Sequence, residues 1–165
     1  MILGFNWSGA EAKSSVVPAG ATVEETIAFN TYLSIAPDGT ITIFSPNPEL
    51  GQNIKTSFPM VVAEELDADW SKVRVLQADL DTNKYDRQLT GGSGAVPHSW
   101  MRLRNAGATA RALLVQAAAT RWGVEPATCT TKDGMVIHEA SGRKAGYGEL
   151  AADAAKLTAP KEVKL

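Results

Sequence analysis

Residues 39–75 read GTITIFSPNPELGQNIKTSFPMVVAEELDADWSKVRV, and the hydrophobic period changes twice within that stretch. Ile41, Ile43 and Phe44 make a strand-like opening, and Pro46, Pro48 and Gly51 then break it. From Ile54 the apolar residues return at helical spacing: Phe58, Val61, Val62 and Leu66, with Glu65 pointing outward. Pro59 fits near the first turns, where a missing N–H costs little, which puts the helix start at residues 54–57. In the run 72–78 Val73 and Val75 alternate with charged neighbours, so a further strand follows. Strand, turn-rich loop, helix and strand in that order set the architecture of the whole chain.

Upstream, Phe29, Tyr32 or Leu33, and Ile35 form one arm of a β-hairpin whose other arm is 41–44. Pro37-Asp38-Gly39 supplies the pre-set φ, the turn-forming side chain and the residue tolerant of positive φ. Downstream, residues 79–99 carry Gly91, Gly92 and Gly94 and almost no apolar period; a loop of that length is functional or disordered. An alanine-rich helix is predicted from about Pro97 to Trp122, stopped by Gly123 and Pro126. A second hairpin turns at Lys132-Asp133-Gly134, and YGELAADAAKL makes a last short helix before Pro160. The order ββαβαββα predicts an α+β domain over residues 28–165, a small mixed sheet packed by two main helices.

Composition agrees with one globular unit. The 165 residues suffice to bury about 70% of the unfolded surface. A net charge of −2 gives no reason to expect nucleic-acid binding. The single Cys129 allows no internal disulfide and reads as a small buried hydrophobe, and His98 and His138 are too few and too far apart for zinc. Most of the four tryptophans are expected in the core. At the front, MILGFNWSGAEA ends in the A-x-A form of an export cleavage site. It reads either as a frayed start or early strand, or as the remnant of a signal peptide; it is too short to span a membrane. Residues 1–27 are therefore set apart as remnant and arm.

Nucleophile-elbow and dinucleotide-binding signatures are missing. Glu64 and Glu65, adjacent on a helix, read as a solvated face, and His98 as a structural or surface residue. Two loops remain. Gly51-Gln52-Asn53 and Thr90-Gly91-Gly92-Ser93 each lead into a predicted helix, where free N–H groups and the positive helix end make an anion site. They could converge on one phosphate-bearing ligand, or they could be independent caps with Asn53 and Ser93 or Ser99 as N-cap residues.

Here the local sequence resembles a known family. The loop Glu49-Leu50-Gly51-Gln52-Asn53, Thr56 four residues past the glutamine, Ala63-Glu64-Glu65-Leu66 and Lys72-Val73-Arg74-Val75 follow the E-M-G-Q-G, A-E-E-L and K-V-R-V pattern of the molybdenum-cofactor-binding subunits of xanthine dehydrogenases and aldehyde oxidases. Thr90–Ser93 stand where that family carries its second, T-G-G-S loop. The opening F-N-x-Y-L-x-I-x-P-D-G-T, W-S-K-V-R-V and the closing Y-G-E-L-A resemble the isoquinoline 1-oxidoreductase beta-subunit branch.

The resemblance implies one domain of a molybdenum hydroxylase large subunit, acting on aldehydes or N-heteroaromatics. It implies a molybdopterin, in its cytosine dinucleotide form, bound by Gly51, Gln52, Asn53, Thr90, Gly91, Gly92 and Ser93. It implies two partners: the remainder of the large subunit and a small subunit carrying iron–sulfur clusters. Export by a twin-arginine route would make the protein periplasmic, and otherwise it is cytoplasmic. Asn53 departs from the family's glycine, which makes a positive φ there less free. The G-G-G-F-G loop and the catalytic glutamate have no counterpart here, so no catalytic or metal-binding residue is assigned and the isolated chain is expected to be inactive. The alternative is a stand-alone, non-catalytic module of the same fold that binds another anion or a partner protein. Apolar faces left uncovered would favour self-association.

Overall fold

A computed structural model describes residues 26–165. The arm and export-remnant readings of the N-terminus therefore lie outside the described residues, except that strand β1 (Ile27–Ala28) already begins within the predicted arm. Strands β2 (Leu33–Ile35) and β3 (Ile41–Ser45) form the predicted hairpin, with Leu33 opposite Ile43 and Ile35 opposite Ile41. Asp38 accepts the Thr40 N–H at 2.8 Å, the short-range bond that makes aspartate a turn former.

Helix α1 (Ile54–Leu66) then crosses over and returns the chain as β4 (Val73–Gln77), parallel to β3 with Ile43 beside Val75. A parallel pair needs a long crossover, which α1 supplies. The first sheet has the order β1-β2-β3-β4, antiparallel except for that last pair.

The long helix α2 (Ala95–Trp122) starts two residues before Pro97, which occupies its first turn, where the missing N–H has no partner to lose. It packs against α1. At the closest approach Gly107 faces the Val62 carbonyl, and a Cβ at 107 would stand 2.5 Å from that oxygen and 2.9 Å from Glu65 Cβ. Only glycine fits there. Beneath this crossing, Leu33, Ile35, Ile41 and Ile43 from the sheet meet Phe58, Val62 and Leu66 of α1 and Leu103, Ala110 and Leu114 of α2 in one core. Each fully buried branched side chain contributes about 1.5–3 kcal/mol.

The second hairpin does not extend the first sheet. β5 (Thr130–Lys132), β6 (Met135–His138) and an additional strand, β7 (Arg143–Gly146), form a separate antiparallel sheet followed by helix α3 (Tyr147–Ala154). It is pinned to the end of α1. Tyr147 Oη donates to the Leu66 carbonyl at 2.7 Å, and the Gly134 N–H to that of Asp67 at 2.7 Å. Asp67, left-handed at φ 52°, accepts from the Thr131 hydroxyl and from Arg111. Burial pushes the Tyr147 phenol well above its ordinary range, consistent with a neutral donor.

Two surface expectations are corrected. Glu65 does not point outward: it is 8% exposed and pairs with Arg104 of α2, while Glu64 alone is solvated. A charge reads as exposed from spacing, yet a guanidinium on the facing helix makes its burial tolerable. Of the three described tryptophans, Trp70 and Trp100 are exposed and Trp122 is half-buried. Arg104 lies 5.9 Å from the Trp100 ring centroid, a cation–π contact that explains one of them.

Candidate functional site

β3 and β4 run parallel, so the chain segments that leave their C-terminal ends emerge side by side, and these segments carry the two loops. Asn47 joins them: its Nδ2 donates to the Leu89 carbonyl at 2.7 Å, although its buried Oδ1 has no hydrogen-bond partner among the described residues. The Thr90 hydroxyl donates to the Pro48 carbonyl at 2.7 Å, and Gln52 Nε2 reaches both that carbonyl (3.0 Å) and Thr90 Oγ1 (3.5 Å). Gln88 and Gln77 extend the seam by donating to the Pro46 carbonyl. Thus Gln52 and Thr90 meet, as the convergent reading of the two loops requires.

The two helix entrances differ from each other, and one differs from expectation. At α1 three of the backbone donors are already taken. Glu49 Oε1 accepts from Gly51 N (2.7 Å) and Asn53 N (3.0 Å), and Oε2 accepts from Lys55 N (3.1 Å). These bonds, led by that from Lys55, hold the Glu49 carboxyl below the usual carboxylate range. The anion that this entrance favours is the chain's own. Asn53 is left-handed at φ 62°, so the departure from glycine leaves that conformation in place; asparagine is among the few residues that tolerate it. It is the N-cap through its carbonyl, which accepts from Thr56 and Ser57, while its side chain caps nothing.

At α2 the donors are open. Gly92 (φ 60°) and Ser93 (φ 53°) are both left-handed, and Gly94, not Ser93 or Ser99, is the N-cap. The N–H groups of Gly91, Gly92, Ser93, Ala95 and Val96 donate to no acceptor among the described residues, and the Ser93 hydroxyl has no partner there either. A Cβ at Gly51, Gly91 or Gly92 would meet nothing within 4 Å. The first turn holds no acidic residue. His98, one turn along, bonds the Gly94 carbonyl through Nδ1 (2.6 Å) and lies 3.1 Å from Arg87 through Nε2. Arg87 carries no sequence signal, because a basic residue inside a loop gains a role only when the fold sets it near a helix start.

This geometry belongs to a recognisable class. The molybdopterin cofactor-binding domain model matches residues 11–165. The chain belongs to that family. It is 42% identical to the isoquinoline 1-oxidoreductase subunit beta of Brevundimonas diminuta, over 81% of this chain and 19% of that protein. It is 38% identical to a membrane-bound aldehyde dehydrogenase (pyrroloquinoline-quinone) of Gluconacetobacter polyoxogenes, over 82% of this chain and 17% of that one. The chain thus spans under a fifth of the length of these relatives. The fold is that found in quinoline 2-oxidoreductase from Pseudomonas putida 86 (TM-score 0.60, 21% identity, 80% of this chain and 17% of that one). It is also found in a Cu,Mo-CO dehydrogenase (TM-score 0.59, 17% identity, 77% and 18%). Family membership extends the likeness from fold to kind of ligand: a molybdopterin cofactor.

The residues present suit a phosphate-bearing pterin at α2, where donors are open, small residues leave room and a guanidinium stands close. At α1, where Glu49 occupies three backbone donors, the Gln52 side chain is the main group left for such a ligand. A groove of about 580 Å³ lies elsewhere, on the outer face of α1 between Thr56, Met60, Ala63 and the Thr131–Asp133 turn. It holds Thr56, Ala63, Glu64 and Trp70 of the family's sequence pattern but none of the residues of the two loops.

Proposed function

We propose that this domain holds one side of a molybdopterin in a molybdenum hydroxylase large subunit, across Gly51, Gln52, Asn53 and Thr90–Ser93. The observation that carries the reading is the Gln52–Thr90 contact, which brings the two loops into one seat beside the unfilled donors of α2. Gln52 and Thr90 offer donors and acceptors to a pterin edge, while the backbone of 91–93 and Arg87 receive a phosphate. When bound, the cofactor supplies a redox metal that hydroxylates aldehydes or N-heteroaromatics with oxygen from water. The chain's own residues bind and orient it; the general base and the substrate pocket are left to the remainder of the subunit. The cytosine dinucleotide form, an iron–sulfur partner subunit and a periplasmic location after export complete the proposal.

Leu50, Leu80 and Leu89, 73%, 81% and 57% exposed, lie on the segments that form the seat. Such an apolar margin fits coverage by another part of the same subunit, with self-association when that part is missing. No helix among the described residues is long and apolar enough to cross a membrane.

The test is metal, pterin and nucleotide analysis of protein made in a molybdopterin-producing host, alone and with the rest of the large subunit. Occupancy is expected in the completed subunit, falling about tenfold or more in Gln52→Ala, Ser93→Ala and Arg87→Ala with the fold intact, as loss of charge-assisted or buried polar contacts implies. No cofactor in either parent sample, or equal occupancy in all variants, overturns the reading. Release of a nucleotide other than cytidine monophosphate overturns the dinucleotide assignment alone.

A further inference from the structure

The α1 entrance poses a problem that the cofactor reading leaves open. Gln52 sits in an exposed loop between two left-handed residues, Gly51 (φ 97°) and Asn53 (φ 62°), a backbone with many competing conformations. For its amide to reach Thr90 reproducibly, something must hold the loop. Its side chain cannot do so alone: it makes two short-range bonds, Oε1 from Leu50 N (2.6 Å) and Nε2 to the Pro48 carbonyl (3.0 Å), and both partners belong to the same loop. The group that ties the loop to the helix is the carboxylate of Glu49, three residues before Gln52.

We propose that Glu49 is the positioning residue of this site: by accepting from Gly51, Asn53 and Lys55, its carboxylate holds Gln52 in register with Thr90. Two oxygens serve three donors on both sides of Gln52, one of them in the first turn of α1. The result is a closed ring of backbone fastened to a rigid helix, with Gln52 at its tip. Each bond is charge-assisted, hence stronger than a neutral bond of the same length, and the helix end reinforces it. Glu49 joins none of the ion pairs among the described residues. What meets it is neutral: backbone N–H groups from its own loop and helix, with Lys55 contributing its amide and not its ammonium. Arg87 bonds His98, and His98 bonds the Gly94 carbonyl, so neither pairs with Glu49. The brace therefore depends on the charge of Glu49 itself. Occupying three donors at this entrance also leaves the α2 entrance as the more open one for a phosphate.

The consequence for ligand binding rests on the cofactor reading, but the brace does not, and the experiment separates them. In the full 165-residue chain, backbone amide exchange at Gly51, Asn53 and Lys55 and the cross-relaxation between the Gln52 side-chain amide and Thr90 are followed by NMR across the acid range. In the parent the three amide shifts should titrate together with one midpoint below the ordinary carboxylate range. Glu49→Ala should speed exchange at all three by about tenfold or more and abolish the Gln52–Thr90 signal, while core amides such as Val62 stay protected. Glu49→Gln, which keeps an acceptor and loses the charge, should recover part of the protection and show no titration. Retention of the Gln52–Thr90 signal in Glu49→Ala overturns the proposal. So does an unchanged acid titration of the three amides in Glu49→Gln, a readout that survives even if the alanine variant fails to fold. Cofactor occupancy of the completed subunit then tells the two readings apart. A loosened loop with undiminished occupancy in both Glu49→Ala and Gln52→Ala leaves the brace standing and removes the cradle.

Discussion

Helices α1 and α2 begin in nearly the same way and end up chemically opposite. Each follows a glycine-containing loop, each is entered through a left-handed non-glycine residue (Asn53 and Ser93), and each lacks an acidic residue in its first turn. At α1, Glu49 reaches forward and takes three of the donors; at α2 no carboxylate reaches them, since Asp81 and Asp86 of that loop pair with Lys84 and Arg102, and the donors stay open near Arg87 and His98. A helix N-terminus is thus not an anion site by virtue of being one. Whether it serves a ligand depends on the nearest carboxylate in the chain. One entrance is largely filled from within the chain and the other keeps its donors open.

The strongest way to disturb both entrances together is at their common support. Gly107→Ala places a methyl group against the Val62 carbonyl and is expected to destabilise by about 1–3 kcal/mol, read as a lower urea midpoint. The Gln52–Thr90 signal should weaken with it. A midpoint equal to that of the parent would mean that the helices separate at no cost and that the two seats are not coupled through them. A smaller effect separates the entrances by backbone. Asn53→Ala should cost about 1 kcal/mol because alanine disfavours φ 62°, whereas Asn53→Gly should be nearly neutral and Ser93→Gly slightly stabilising. If Asn53→Ala and Asn53→Gly unfold at the same urea concentration, the left-handed turn is not what asparagine contributes.

The smallest effect is one of pH. Because the folded Glu49 carboxyl lies below its ordinary value, its contribution is fully present above the unfolded carboxylate value. It is lost as pH falls through the folded value. Acid should therefore loosen residues 51–55 and leave the already unprotected 91–93 unchanged, in amide exchange corrected for intrinsic rates. Equal acid response at both entrances would erase the distinction between them.

Much of this was legible because it is local. The 37–39 turn, the helical period from Ile54 to Leu66, the Val73–Val75 alternation and the glycine stop at 123 each depend on residues a few positions apart, and the elements lie where those signals put them. Family motifs added the pairing of the two loops, and the Gln52–Thr90 contact agrees with that pairing. What escaped depends on distant partners or on weak patterns. Glu65 is buried by an arginine 39 residues away, Arg87 acquires its place only from the fold, and β7, RKAG, has too few apolar residues to alternate. Glu49 escaped for a different reason. Its side chain turns forward onto N–H groups two, four and six residues along the same chain, and no periodic pattern marks such a turn.

The close crossing at Gly107 has a mechanical side. Val62 lies eight residues into α1 and Gly107 twelve into α2, so the crossing stands about 12 Å and about 18 Å along the axes from the two entrances. The helices are the arms of a lever whose fulcrum is a residue without a side chain. With arms of that length at 1.5 Å rise per residue, a tilt of about five degrees there carries the two entrances through about 1 Å and about 1.6 Å, enough to break a Gln52–Thr90 contact that already stands at 3.5 Å. The thickness of one backbone, far from any ligand, thereby sets the gap in which a ligand must fit.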